Sequence, residues 1–103
     1  MRITIIAVGK VKEKFYRDAI AEFEKRLSKY CKLDIIEVAD EKTPDNASEA
    51  QELIIKSKEG DRILSAVKDD MYVIALAIEG KQLSSTELAD KINKLGILGK
   101  SSI

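Results

Sequence analysis

Histidine is absent from the 103 residues, and cysteine occurs once, at Cys31. Without imidazole, the usual general base near neutral pH and the usual metal ligand are both missing, so acid–base chemistry falls to carboxylates, Lys, Tyr or another chain. One thiol closes no disulfide within the chain, and no Cys-x-x-Cys pair is present to hold zinc, so no metal is expected. Cys31 reads as a small side chain tucked in where a helix ends, with a reactive thiol as the alternative. What the sequence does concentrate is positive charge: Lys10, Lys12, Lys14 and Arg17 fall within eight positions. Their chemistry is that of holding phosphates. The solvated start of a helix would account for the same residues.

The elements that must position this basic turn are legible from periodicity. Ile3, Ile5, Ile6 and Val8 form a short β-branched run ending at Gly9, a first strand, so the turn follows a strand's C-terminal end, where ligands of parallel α/β sheets bind. From about Glu13 to Tyr30, the residues Tyr16, Ile20, Phe23, Leu27 and Tyr30 recur at steps of four and three, the stripe of an amphipathic helix. That spacing predicts core packing for the aromatic residues; a base-stacking platform is the alternative. Leu33–Val38 is a second strand, and its interspersed acids predict an edge position with one solvated side. A loop over 40–46 contains the only proline, Pro44. Asn46 with Glu49 has the spacing of an N-cap for a second helix running to about Val67. Gly60 inside it predicts a bend, a break or a close neighbour.

Met71–Ile78 is eight residues without a charge, rich in Val, Ile and Leu. Such a run predicts a strand covered on both faces, at the centre of a parallel sheet flanked by helices. Ser84 and Glu87 then form a capping box for a third helix, with Leu83 and Leu88 at the staple positions. Leu95-Gly-Ile-Leu-Gly99 reads as its C-cap, and residues 100–103 as the approach to a fourth strand. The order β-α-β-α-β-α, with no linker, predicts an α/β fold: one domain over residues 1–103, a three-layer sandwich with a mainly parallel sheet and right-handed crossovers.

Composition excludes several classes. Hydrophobic residues at 45% and charged residues at 35% describe a globular chain, and no apolar run approaches the roughly 20 residues that span a bilayer. The N-terminus lacks the pattern of a signal peptide, so the expected location is cytoplasmic. Formal net charge is zero, which taken alone argues against a dedicated nucleic-acid binder. The charge is unevenly spread, however: residues 1–32 carry nine Lys/Arg against four acids, and the remainder is acidic by the same margin of five. A basic first third presents a local positive field to a polyanion.

Five segments carry a family resemblance. They are Ile3-Thr-Ile-Ile-Ala-Val-Gly-Lys-Val-Lys12, Tyr16 to Tyr30 with its Glu-x-Arg-Leu core, Asp34-Ile-Ile-Glu-Val38, Lys58-Glu-Gly-Asp-Arg-Ile-Leu64 and Val73-Ile-Ala-Leu-Ala-Ile-Glu-Gly-Lys-Gln-Leu-Ser-Ser85. In this order and spacing the chain resembles the bacterial ribosomal large subunit methyltransferase H family, of the SPOUT superfamily with its α/β knot. The resemblance implies methyl transfer from S-adenosylmethionine to N3 of a pseudouridine in 23S rRNA of the assembled ribosome, by a homodimer. Leu76 falls on the family position whose strand end contacts the cofactor. The family's glycine-rich segment, later knot loop and C-terminal helix would lie beyond Ile103, so the chain is expected to match the front portion of such an enzyme and to be inactive alone. The family's strand order is 2-1-4-3-5. With the fourth strand incomplete, Met71–Ile78 is expected to close directly onto the first strand in a monomer, bringing Ile5 beside Ala75, or to pair edge to edge with another chain in an oligomer. Two other readings are a non-catalytic RNA- or ribosome-binding remnant and a flavodoxin-like small-ligand module. The latter is weakened by a first strand-to-helix turn that lacks glycine-rich spacing.

Overall fold

The computed structural model describes residues 1–103, in the order β1 (Arg2–Val8), α1 (Lys14–Leu27), β2 (Lys32–Val38), α2 (Glu49–Ala66) and α3 (Ser85–Ile97). β1 and β2 pair in parallel over their full lengths, with Ile5 opposite Ile35 and Val8 opposite Val38. Parallel pairing requires a crossover, and α1 supplies it. Side chains of a strand alternate between faces. Ile5, Leu33 and Ile35 line a groove beneath α1, whereas Arg2, Thr4, Asp34 and Ile36 line a hollow beside Ala66 at the end of α2. The two helices therefore lie on opposite faces of the sheet. On the α2 face, Arg2 and Asp34 form an ion pair across the strands at 3.8 Å.

Met71–Ile78 is not a ladder strand, contrary to the expectation of a doubly covered central one. Val73 is 61% exposed, and Leu76 and Ile78 are almost fully so. Nor does the run close onto β1, so the expected Ile5–Ala75 ladder is absent. The physical reason is that the place beside β1 is taken. Arg2 bridges in parallel to Ser102. Arg2 and Thr4 donate to the carbonyls of Ser101 and Ile103, Ile103 donates back to Arg2, and Tyr72 donates to Ser102, all within 3.0 Å. Residues 101–103 thus stand between β1 and the start of the 71–78 run. At that level the two are separated by two strand spacings, roughly 9–10 Å. The spatial order is β2, β1, 101–103, 71–73, the first four places of the order that the resemblance implies.

The helix ends follow their sequences. Ser84 caps α3: its hydroxyl accepts from Glu87 N–H at 3.2 Å, and the Glu87 carboxylate accepts from Ser84 N–H at 3.1 Å. At the other end, Lys100 N–H donates to Leu95 and Gly99 N–H to Gly96, the paired bonds of a Schellman turn, with Gly99 at φ +85°. That turn aims 101–103 back along β1. α2 is capped by Ser48 rather than Asn46: the Ser48 hydroxyl accepts from Gln51 N–H at 3.2 Å, and the Gln51 side chain accepts from Ser48 N–H at 2.9 Å. Asn46 is used in a turn in which Ala47 N–H donates to Pro44. α2 runs unbroken through Gly60, and beyond its chain neighbours and the local helix backbone nothing lies within 4 Å of where a Cβ there would stand.

Leu95 and Ser102 are the two buried residues. The aromatic stripe of α1 keeps its helical spacing but not its burial, since Tyr16, Phe23 and Tyr30 are all exposed, so the expected core packing of these residues is not met. A radius of gyration of 15.9 Å, against about 13 Å for a compact domain of this length, fits a molecule with open faces.

Candidate nucleic-acid interface

β1 ends at Val8, and Gly9 turns the chain with φ +86°, a conformation in which a side chain would be strained. Gly9 N–H donates to Val38, so the turn leaves the sheet tied to the end of β2. The chain then runs through Lys10–Glu13 into α1. The N-cap is Glu13, whose side chain makes no capping bond, and the first turn of α1 holds no acid.

Lys10 and Arg17 both line the groove beneath α1, a space of about 730 Å³ lined also by Ile20, Phe23 and Leu27 of the helix and Ile5, Leu33 and Ile35 of the sheet. Lys14 pairs with Asp18 one turn along at 3.3 Å, with both side chains largely in solvent. Such an exposed pair contributes about 0–1 kcal/mol and leaves the ammonium available to a stronger anion. Lys10, Lys12 and Arg17 enter no ion pair. Lys10 and Arg17 thus share one groove, while Lys12 and Lys14 belong to the same turn and helix start, the rim between the end of β1 and α1.

A second group stands beside this rim. Arg62 of α2 donates to the Ala39 carbonyl at 3.0 Å and to the Glu41 carboxylate at 2.6 Å, while Glu59 accepts from Glu41 N–H at 3.0 Å. Glu59 and Arg62 stand three positions apart and so share one helix face. Together they fix the loop after β2, whose Asp40 side chain approaches Gly9 to 4.0 Å measured from where a Cβ would sit. The one clue available beforehand was that spacing of opposite charges, within a segment that contributes to the family resemblance.

Leu76 lies apart from this rim, 94% exposed. It lines neither the groove beneath α1, nor the hollow beside Ala66, nor the one at Cys31. A cofactor site buries most of its ligand and offers a few convergent polar groups. Leu76, open to solvent, encloses nothing, and it does not by itself fit S-adenosylmethionine. Of the basic residues, Lys10 and Arg17 line one groove, and Leu76 is not among its lining residues. Cys31 is a free, half-buried thiol at the end of α1, its Sγ 3.8 Å from the Leu27 carbonyl.

The family model described as "Predicted SPOUT methyltransferase" matches residues 1–103. Proteins described as ribosomal RNA large subunit methyltransferase H from Bifidobacterium adolescentis, Clostridium novyi and Clostridium tetani are 65%, 64% and 60% identical over 103 residues. The match takes in 100% of this chain and 65% of each relative, so the chain spans just under two thirds of the length of the curated relatives it matches.

Proposed function

Because this chain belongs to the SPOUT methyltransferase family, we propose that it serves the methylation of N3 of a pseudouridine in 23S rRNA, with S-adenosylmethionine as methyl donor, in a cytoplasmic homodimer. The observation that carries this reading is 65% identity, sustained over all 103 residues, to a ribosomal RNA large subunit methyltransferase H. Lys10, Lys12, Lys14 and Arg17 hold phosphates of the rRNA, and Leu76 meets the cofactor. The cationic rim supports the first role: three of its four side chains have no internal partner to lose when a phosphate arrives.

The experiment is genetic and chemical. Deleting the gene that encodes this chain from its host removes N3-methylpseudouridine from 23S rRNA, as read by mass spectrometry of digested nucleosides; an unchanged level of that nucleoside overturns the proposal. The 103 residues purified by themselves transfer no labelled methyl to ribosomes, because Leu76 stands in the open.

A further inference from the structure

Beside the cationic rim stand two aromatic rings that the phosphate contacts do not use. Phe15 and Tyr16 occupy the first turn of α1, between Lys14 and Arg17. Their ring centres are 4.3 Å apart, with planes inclined at 42°. They are 64% and 56% exposed, and neither lines the groove beneath the helix. Rings of this kind bury a large apolar area wherever packing allows. Here they face outward, held against each other, in a stretch of chain that carries Lys14 on one side and Arg17 on the other.

We propose that Phe15 and Tyr16 form a stacking platform for an unpaired base of the RNA substrate, with Lys10, Lys12 and Arg17 holding the flanking phosphates. This rests on the RNA-contact role assigned to the basic turn above. Charge complementarity selects the occupant. Between Lys10 and Asp18 there are four cations and two acids, and one of the acids is engaged by Lys14. A partner that offers flat π-faces and regularly spaced anions answers both halves of the surface, and single-stranded RNA is such a partner. A duplex is not, because A-form helices keep their base faces stacked inside. A second copy of this chain meeting the patch through a two-fold axis would set the same cations against themselves.

The test uses the 103-residue chain, a labelled RNA hairpin with an unpaired loop, and the same stem as a full duplex. The chain is expected to bind the hairpin more tightly than the duplex. Phe15→Ala and Tyr16→Ala each weaken hairpin binding roughly 10-fold and leave the salt dependence unchanged. Phe15→Tyr and Tyr16→Phe, which keep a ring, bind as the parent does. Replacing Lys10, Lys12 and Arg17 with Ala flattens the salt dependence on both RNAs. If the charge variants weaken binding and the ring variants do not, the platform is overturned and the phosphate contacts stand. If neither set weakens binding, both fail. If the ring variants dissociate a dimer in sedimentation without changing RNA affinity, the face is an interface between copies and the platform is again overturned.

Discussion

Arg2–Val8 and Met71–Ile78 are similar in length and the second is the more apolar, yet only the first is a strand. β1 meets β2 residue for residue along seven pairs. The 71–78 run has one backbone bond toward the sheet, from Tyr72 to Ser102. What separates them is the neighbour. Ile35 and its companions arrive beside β1 in register, whereas residues 101–103 reach only the first positions of the second run. Strand character therefore belongs to the pair, and a β-branched run supplies only half of it.

The comparison is sharpened most by a matched pair of truncations. Leu95→Ala removes the one buried apolar side chain and is expected to cost about 2–3 kcal/mol in a denaturant melt. Leu76→Ala, the same change in the open run, is expected to stay within about 0.5 kcal/mol. Equal losses would mean that Leu76 is covered and that the contrast between the runs is false. Next comes Gly99→Val, which forces a β-branched residue into a left-handed turn at roughly 1–2 kcal/mol. By hydrogen exchange it should deprotect the Arg2 and Thr4 amides, which bond to residues 101–103, and spare the Gly9 amide, which bonds to β2. Loss of protection at all three would tie the two regions into one cooperative unit. Ser84→Ala removes the cap of α3 at about 1 kcal/mol.

The smallest effect is a pH dependence. Bonds to the backbone and then the side chain of Ser84 hold the Glu87 carboxyl below its ordinary range. A depressed folded-state value means that the contribution is present above the unfolded carboxylate range and is lost as pH falls through the folded value. The α3 end of the molecule should thus loosen on the acid side. Glu87→Gln keeps the capping geometry without the charge and should flatten that response in a series of melts across acidic pH; an unaltered profile would assign it to other carboxylates.

Local features of this chain were legible because local chemistry decides them. Ser84 and Glu87 form their capping box from four consecutive residues, and the Gly99 turn follows from its glycine. The helical spacing of Tyr16, Ile20, Phe23 and Leu27 is realised in α1. Their burial was not legible, because it depends on what approaches the stripe from elsewhere in the chain. Asn46 and Ser48 both satisfy a capping pattern, and the choice fell to a turn closed by Pro44. The basic residues could be found as a run in the sequence, and of them Lys10 and Arg17 line the groove beneath α1. The Arg62–Glu41–Glu59 group could not, since a contact across some twenty positions leaves no periodic trace. The family, by contrast, was readable from five short segments, and the match over residues 1–103 bears it out.

The bridge from Arg2 to Ser102 also sets an order of events in time. β1 reaches its partner Lys32 across a loop of some thirty positions, but reaches Ser102 only across a hundred. In loop-closure terms the longer connection costs about 1 kcal/mol more entropy, and no contact rewards it until residues 101–103 have been made. During synthesis β1, α1 and β2 emerge first and can pair while residues 101–103 are still being added. The nascent molecule therefore waits with the outer side of β1 bare, and the last residues of this stretch enter a place that has been held open from the start.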